Sequence, residues 1–518
     1  MPTSTFIEKF GPAAILLGIF FGFFFQLGSV PLFDLDEGAF SEATREMILS
    51  GNYLTTYLNG ELRFDKPILI YWFQAASVHL FGLNEFALRL PSALAATLWA
   101  GVLYLFTKRF FGIRTAVIAT FMMTTALQIS IISKAAIADA LLNLFIAASM
   151  FGVYLYYATR EKRYLYGVFV LIGLGALTKG PVAVMIPLAV SFIFFAIKRE
   201  LGFWLKTVLN PVGLLLFLLV AGPWYVLEYL DQGQKFLDGF FFKHNLSRFN
   251  TSFEGHSGSL FYYVPVLLIG LLPFTSVLFT SLRNIKTWFG DDMHKFFAIW
   301  FLFVFIFFSF SGTKLPHYVI YGYTPLFVIM ALNVEKMRSD RLLLLPLTLL
   351  FAFLLFLPEI ATAIKPLVKD RFAQLVIESA PAEFGTFYRL FFAASLLALF
   401  AMMFAPKMQR VNKLVVLGLL SVIGINGFVI PTYARIAQQP VKEAALLAKE
   451  RSLDVNMWKM NMPSFIVYSE KLVSRTTPQD GETVITKKTN LDDFNATEIL
   501  YEKHGIVLAK IIKTEARP

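Results

Sequence analysis

The sequence predicts a polytopic α-helical membrane protein with about thirteen transmembrane helices, followed by a small C-terminal α/β domain. Hydrophobic residues make up 57% of the 518 residues and charged residues only 16%, whereas soluble domains average about 25% charged residues. Thirteen apolar stretches are long enough to cross a bilayer. They cover residues 11–30, 86–107, 113–131, 137–158, 163–178, 181–198, 208–230, 259–282, 295–311, 317–334, 341–358, 387–405 and 413–432.

The placement of lysine and arginine predicts how these helices are oriented. Six short loops carry three basic residues each, and three intervening short loops carry one lysine each. The basic loops lie within residues 108–114, 160–163, 198–206, 283–295, 336–341 and 407–413. Because basic loops stay in the cytoplasm, we expect the N-terminus in the cytoplasm and the C-terminal tail on the outer side of the membrane. No small-x-small cleavage site follows the first apolar run, so an uncleaved signal anchor is expected.

Net charge and cysteine content exclude several classes of function. The net charge of +11 follows the membrane topology rather than forming one patch, so nucleic acid is not an expected partner. The chain has no cysteine, which excludes disulfides, thiolate catalysis and cysteine metal sites. Any chemistry must therefore come from other side chains.

Three long loops lie on the predicted outer face, at residues 31–85, 231–258 and 359–386. The sequence of the first outer loop, residues 31–85, predicts two helices at the bilayer surface. The first helix begins at Gly38, with apolar side chains such as Phe40 on one side at helical spacing and with Glu42 and Arg45 facing elsewhere. The second helix begins at Pro67, because proline is favoured at the first helical position.

The tail from residue 435 onward has the composition of a soluble domain, with 13 basic and 11 acidic residues. We therefore expect a transmembrane domain at residues 1–434 and a periplasmic α/β domain at residues 435–518. Within the tail, the pattern predicts a helix at residues 441–451 and strands at residues 465–468, 483–486 and 506–512. A domain of this size is marginal alone, so it is expected to dock on the membrane part.

The first outer loop gathers charges that membrane packing does not require. Asp36 and Glu37 at the mouth of a span suit a general base, a cation site or a sugar-hydroxyl site. The alternative is a helix N-terminus complemented by acids. Asp65-Lys66 beside a helix start suits a phosphate, whereas a snorkelling interfacial lysine is the alternative. Asp34 is expected to be a bystander.

Further polar residues lie in the other outer loops and at the fourth span. His244 and His256, with a carboxylate such as Asp65, suit a divalent ion, although loop histidines are more often plain polar surface. The segment Lys314–Tyr318 suits an anion site or an aromatic belt with an anchoring lysine. Asp139 starts the fourth span, and Lys134 or Lys179 is its expected structural partner. The turn at residues 178–181 is interpreted as mainly structural.

Several short motifs follow one another in an order typical of one family. They are Asp36-Glu37, Arg45-Glu46-Met47, Gly51-Asn52, Leu58-Asn59-Gly60, Lys66-Pro67, Tyr71-Trp72, Thr178-Lys179-Gly180-Pro181, Arg248-Phe249, Gly255-His256, Tyr262-Tyr263 and Lys314-Leu315-Pro316-His317-Tyr318. Together they resemble the motifs of bacterial polyprenyl-phosphate-sugar glycosyltransferases. This family includes the aminoarabinose transferase that modifies lipid A, and protein mannosyltransferases are relatives. The resemblance covers most of residues 11–335.

The resemblance implies a C-type glycosyltransferase fold and assigns roles to particular residues. It implies that Asp36 is the catalytic first-loop aspartate, with Glu37 beside it, and that Asp139 is a required acid of the fourth span. The positions that match those holding the phosphate of the lipid carrier are Lys66, Arg248 and Tyr318.

The resemblance also implies a possible divalent metal ion (zinc, magnesium or manganese). Asp65 matches an acid that binds it, with His244 or His256 as the histidine partner. Two departures weaken this transfer. The common Asp-Glu-x-Arg-Tyr motif is Asp36-Glu37-Gly38-Ala39-Phe40 here, and the usual glutamate before the lysine is an aspartate, one methylene shorter.

The function that the resemblance implies is transfer of a sugar from undecaprenyl phosphate to a periplasmic acceptor, with the phenylalanine-rich spans forming the groove for the isoprenoid tail. Lipid A, another envelope glycolipid and protein all stay open as acceptors, and the sugar and the oligomeric state are not specified. A transporter or flippase of lipid-linked sugars is the alternative from a different class. It is disfavoured because outer-face charges dominate and no repeat with broken helices is evident. A non-catalytic scaffold is a third alternative.

Overall fold

The structure is a computed structural model that describes the backbone of residues 4–247, 258–405 and 408–513, and the side chains of residues 10–243, 258–405 and 408–513. The described chain is almost entirely helical up to residue 450. The helices of its first half are Ser4–Ile19, Asp36–Ser50, Leu69–Phe81, Glu85–Thr125, Leu127–Ile132, Asp139–Thr159, Lys162–Lys179, Val182–Ile197, Leu201–Val208 and Pro211–Gln232. Those of its second half, up to residue 437, are Tyr263–Gly270, Thr275–Arg283, Asp292–Phe310, Tyr323–Asn333, Asp340–Leu355, Leu357–Ile364, Arg371–Ser379, Thr386–Met403, Arg410–Gly424 and Ile430–Ala437.

Among the described residues, seven helices are long and apolar enough to cross a membrane, or nine if two bent pairs each count as one span. The protein is therefore of the helical membrane type, and the exact count of thirteen stays a prediction. One cause of the lower count is the segment Glu85–Thr125, which contains Gly112 at φ 80°. This positive φ breaks the segment into two helices, which correspond to the predicted spans at 86–107 and 113–131.

Both helices predicted for the first outer loop are present, at Asp36–Ser50 and Leu69–Phe81, and their place at the bilayer surface stays a prediction. Between them lies a short hairpin, in which β1 (Tyr57–Leu58) pairs antiparallel with β2 (Glu61–Leu62). The sequence sets Glu42 and Arg45 apart from the apolar side of the first helix and does not indicate what covers them. Both are buried, because the face of the helix that carries them packs under the C-terminal tail.

The tail folds as a four-stranded sheet with two helices. Strands β3 (Val455–Met457), β4 (Thr483–Lys487), β5 (Ala496–Lys503) and β6 (Ile506–Lys513) lie in the order β3-β4-β6-β5. The predicted strands at 483–486 and 506–512 are confirmed, and the predicted helix is found at Gln439–Glu450. The predicted strand at 465–468 is wrong, because these residues belong to the helix Pro463–Ser469. Proline at its first position favours that helix, and both neighbouring helices, 36–50 and 439–450, pack against it.

Candidate active site

A polar cavity of about 630 Å³ lies between the first outer loop, the helix ends of the membrane part and the C-terminal tail. Its charged and aromatic lining includes most of the predicted site residues that the structure describes. They are Asp36, Asp65, Lys66, Asp139 and Tyr318, joined by Lys179 and His317. Residues that lie up to 282 positions apart in the sequence (36 to 318) therefore surround one space.

The neighbours Asp36 and Glu37 point into different surroundings. Asp36 begins the helix Asp36–Ser50, is exposed, and lines the polar cavity. Glu37 is buried, and its carboxylate accepts hydrogen bonds from Arg89 Nε at 2.8 Å and Nη2 at 2.7 Å. It also accepts hydrogen bonds from the backbone N–H groups of Phe33 at 2.8 Å and Ala136 at 2.7 Å. This geometry suits Glu37 to positioning the loop that presents Asp36, rather than to contacting a substrate.

Asp65 and Lys66 form a half-buried charged pair on the cavity wall. The Lys66 ammonium donates a hydrogen bond to Asp65 Oδ1 at 2.9 Å, and Arg63 Nη2 donates to Asp65 Oδ2 at 3.2 Å. Each oxygen of the Asp65 carboxylate is thus engaged by a cation. The carboxylate holds Lys66 in place at the cavity, three residues before the helix Leu69–Phe81 begins.

Asp139 is the centre of a buried network on the opposite wall. Its Oδ1 accepts hydrogen bonds from Lys179 Nζ and from the Tyr321 hydroxyl, both at 2.7 Å, and His317 Nε2 lies 3.8 Å away. Of the two lysines expected as its partner, Lys179 is the one that pairs with it. Lys134 instead donates to the backbone carbonyl of Phe25.

The turn at residues 178–181 has a larger part in the site than the sequence predicted. The sequence predicts a mainly structural turn, yet Lys179 lines the polar cavity. The Lys179 ammonium also lies 5.5 Å from the centroid of the Tyr318 ring. The available signal was that Lys179 is one of the single lysines in the predicted outer loops. Lys314, another of these lysines, donates to the backbone carbonyl of Ser311 and does not line the polar cavity.

An apolar groove of about 700 Å³ begins beside this turn. Gly180 and Pro181, which follow Lys179 directly, line it together with residues of the helices 182–197 and 211–232. Gly180 has φ 74°, and a Cβ atom there would lie 2.6 Å from the ring of Phe240, so a larger residue would disturb both the turn and its packing. The polar cavity and the apolar groove are thus lined by consecutive residues of one turn.

Comparisons with known proteins show what the chain is similar to. The family model described as dolichyl-phosphate-mannose-protein mannosyltransferase matches residues 65–226. An uncharacterised protein of Aquifex aeolicus is 32% identical over 60% of this chain and 71% of its own length. The undecaprenyl phosphate-α-4-amino-4-deoxy-L-arabinose arabinosyl transferase of Aeromonas hydrophila is 30% identical over 62% of this chain. The chain belongs to the polyprenyl-phosphate-sugar glycosyltransferase family. It matches 60% of the length of that arabinosyl transferase.

The fold of this glycosyltransferase is also found in a solved structure. The crystal structure of ArnT from Cupriavidus metallidurans bound to undecaprenyl phosphate superposes with a TM-score of 0.79 and covers 98% of each chain. The two sequences are 19% identical, so this likeness concerns the fold. It extends over the C-terminal tail as well as the membrane part.

Three residues that the family resemblance singled out cannot be placed in the site. Arg248 and His256 lie outside the described residues, and so does the side chain of His244. In the part of the chain that the structure describes, no group of three or more histidine, cysteine, aspartate or glutamate residues is arranged to hold a metal ion. Asp65 is the one predicted metal ligand whose side chain is described, and cations engage both of its oxygens. The described residues therefore do not form a metal site.

Asp34, which the sequence left without a role, joins the first loop to the tail. Its carboxylate accepts hydrogen bonds from the backbone N–H of Ser464 at 2.8 Å and from the Ser464 hydroxyl. Burial raises the pKa of Asp34 to about 7, partly opposed by these two hydrogen bonds and assisted by the charge of Glu37. Asp34 thus holds the tail domain against the loop that carries Asp36.

Proposed function

We propose that this membrane glycosyltransferase moves a sugar from undecaprenyl phosphate to an acceptor at the periplasmic face of the bacterial inner membrane, and that the acceptor is lipid A or another envelope glycolipid. The observation that carries the proposal is that two consecutive residues of one turn line the two cavities, Lys179 the polar cavity and Gly180 the apolar groove. A lipid-linked sugar needs an apolar site for its isoprenoid chain and a cationic site for its phosphate, directly next to each other. The groove and the polar cavity supply both.

The donor phosphate would lie between Lys66 and Tyr318, which both line the polar cavity. As the bond between the anomeric carbon and the phosphate oxygen breaks, negative charge develops on the departing phosphate. A lysine ammonium and a tyrosine hydroxyl stabilise such charge. Arg248, which lies outside the described residues, would join them by the family match. The phosphate would compete with Asp65 for the Lys66 ammonium, so the carboxylate pre-positions the lysine before the donor arrives.

Asp36 is the residue best placed to act on the acceptor, because it is exposed at the cavity and Glu37 fixes its loop. As the acceptor oxygen forms its bond to the anomeric carbon, Asp36 would take the hydroxyl proton. If the acceptor is an ionised phosphate, Asp36 orients it instead. Asp139 would act by holding Lys179 at the cavity wall, directly before Gly180 of the groove.

The predicted orientation supports the periplasmic location. It places the first outer loop, the polar cavity and the tail on the side opposite the basic loops. Nucleotide sugars stay in the cytoplasm, so an enzyme that works on the other side requires a donor delivered on a lipid. The arabinosyl transferases among the relatives favour a glycolipid acceptor. The match to a protein mannosyltransferase family model keeps protein O-glycosylation as the second candidate.

The direct test is a transfer assay with the purified full-length chain in lipid nanodiscs. Radiolabelled aminoarabinose and mannose, each linked to undecaprenyl phosphate, serve as donors, and lipid A and periplasmic protein as acceptors. We expect label to appear in lipid A. Label in protein alone would move the assignment to protein O-glycosylation, and movement of the intact donor across the bilayer without transfer would support the flippase instead. Mass spectrometry of envelope glycans with and without the gene identifies the product in cells.

A further inference from the structure

The C-terminal tail forms one wall of the polar cavity. Asn461, Pro463 and Arg475 line it, on the same cavity as Asp36 and Lys66. All three lie in loops or at a helix start of the tail domain, beyond the segments that carry the family motifs. The cavity therefore has a lining that the donor site described above does not use.

Among the contacts that fix this wall to the first outer loop, two lie next to its lining residues. At one, Asp34 binds Ser464, which follows Pro463 in the chain. The approach is close, since a Cβ atom on Gly38 would lie 2.5 Å from the Ser464 nitrogen. At the other, the side-chain amide of Asn59 accepts from Val473 N–H and donates to the Val473 carbonyl, both at 2.9 Å. The backbone two residues before Arg475 is thereby held to the hairpin of the first loop.

Arg475 is available to a ligand. Its Nη2 donates a hydrogen bond to Asn461 Oδ1 at 3.0 Å, which orients the guanidinium. In the described part of the chain, no carboxylate oxygen lies within 4.0 Å of its guanidinium nitrogens. The side chain is exposed at the cavity. A guanidinium with free N–H groups binds phosphate with two parallel hydrogen bonds.

We propose that Arg475, oriented by Asn461, binds a phosphate group of the acceptor lipid and so selects acceptors that carry one near the reacting hydroxyl. The inference rests on the proposed function, because it presumes that a lipid acceptor enters this cavity. It divides the cavity into a donor side, with Lys66 and Tyr318 from the membrane part, and an acceptor side formed by the tail. Asp36 lies on the loop to which the tail is docked and is assigned to the acceptor side.

The test measures binding of three lipids to the purified full-length chain in detergent micelles. The probes are diphosphorylated lipid A, the same lipid after removal of its phosphates, and undecaprenyl phosphate. Arg475→Ala should weaken binding of diphosphorylated lipid A about tenfold, as expected for one charge-assisted hydrogen-bonding group. Binding of the other two lipids should not change. Arg475→Lys keeps the charge but lacks the planar guanidinium, so its affinity for diphosphorylated lipid A should lie between those of wild type and Arg475→Ala.

Arg451→Ala is the matched control, since this exposed arginine of the same domain does not line the cavity. In the transfer assay, Arg475→Ala should raise the acceptor KM about tenfold and leave kcat unchanged. Phosphatidylglycerol is a second phosphate source. Arg475-dependent binding of either phospholipid or lipid A supports the proposal, and their relative affinities identify the source.

Equal affinities of wild type and Arg475→Ala for every phosphate-bearing lipid would overturn the inference. So would a parallel loss of undecaprenyl phosphate binding, which would assign Arg475 to the donor. The proposed function fails separately, if the wild-type chain binds no undecaprenyl phosphate at all. In that case the lipid A measurements still decide whether Arg475 holds a phosphate.

Discussion

The polar cavity and the apolar groove have similar volumes, about 630 and 700 Å³, but opposite linings. The cavity lining includes two acids that are paired with lysines, Asp65 and Asp139, whereas the groove is lined mainly by aliphatic and aromatic side chains. The change from one to the other takes a single peptide bond, between Lys179 and Gly180. The difference indicates a substrate that changes from charged to apolar over the same distance, as a polyprenyl phosphate does where its phosphate meets its first isoprene unit.

The two regions also differ in what holds them together. Charged pairs at a membrane boundary cost desolvation energy that their attraction only partly repays. The pairs Asp139–Lys179 and Asp65–Lys66 therefore contribute little to the free energy of unfolding. Their main effect is to keep two lysines oriented at the cavity. The groove contains no comparable charged pair among its lining residues, which form an ordinary apolar surface. Variants in the cavity should thus affect chemistry, and variants in the groove should affect lipid binding.

The largest effect is expected from Asp36→Asn. Loss of the general base should lower the rate of sugar transfer about 10²- to 10⁴-fold. Binding of undecaprenyl phosphate and the melting temperature should stay at wild-type values, because Asp36 is exposed and lies on the acceptor side. A radiolabelled transfer assay measures the rate, and thermal unfolding measures the melting temperature.

Glu37→Gln is the matched neighbour. It leaves Arg89 buried without its carboxylate partner, which should cost about 3 kcal/mol of stability. A stable Asp36→Asn protein with normal transfer would remove Asp36 from the mechanism. A Glu37→Gln protein of normal stability would show that Glu37 has more than a positioning role.

A smaller loss is expected from Lys66→Ala. Removing one cation from the departing phosphate should lower kcat about 10²- to 10³-fold. Unlike the aspartate variant, it should also weaken binding of undecaprenyl phosphate, which isothermal titration of the reconstituted chain measures. Exposed Lys206, on a helix away from the cavity, provides Lys206→Ala as the control. Unchanged binding in Lys66→Ala would place the donor phosphate elsewhere.

The groove should respond in a different way. Ala189→Trp fills space in it and should lower kcat/KM for undecaprenyl-linked donors about tenfold, through loss of contact with roughly two methylene groups. A donor with only two isoprene units does not reach far along the groove and should be unaffected. Ala196→Trp, on the same helix but outside the groove, is the control. An equal loss of kcat/KM for long and short donors would mean that the groove does not bind the isoprenoid chain.

Sequence patterns predicted the parts of this molecule that depend on local order. The two helices of the first outer loop and two tail strands are of this kind. Asp36, Lys66 and Tyr318 were assigned to one site by the family resemblance and not by local order, and all three line the polar cavity. The pairing of Asp139 with Tyr321 could not be predicted from the sequence, because 182 residues separate them and only the packing of helices brings them together.

The contribution of the tail was hidden for a related reason. The segment at 465–468 has the β-branched and aromatic composition of a strand, but burial against two helices makes it helical. The burial of Glu42 could not be predicted either, since the sequence does not show that the tail covers it. Arg475, distant from every motif, became a candidate only when the structure placed it beside the first loop.

The smallest effect concerns the docking of that tail through Asp34. Its pKa is about 7 in the folded protein, raised chiefly by burial from an ordinary value of 3.8. The folded state therefore holds the proton more tightly, and the stability linked to it is present below about pH 4 and lost as the pH rises through 7. The asparagine of Asp34→Asn cannot titrate, so the variant does not lose this stability as the pH rises. The melting temperature of the variant minus that of wild type should therefore increase from pH 5 to pH 8. Thermal unfolding at both pH values measures the difference, and amide exchange in the helix Pro463–Ser469 reports whether the change is at the docking contact. A difference that does not vary with pH would mean that Asp34 keeps its charge when docked, and the tail would then hold Arg475 at the cavity equally well across this range.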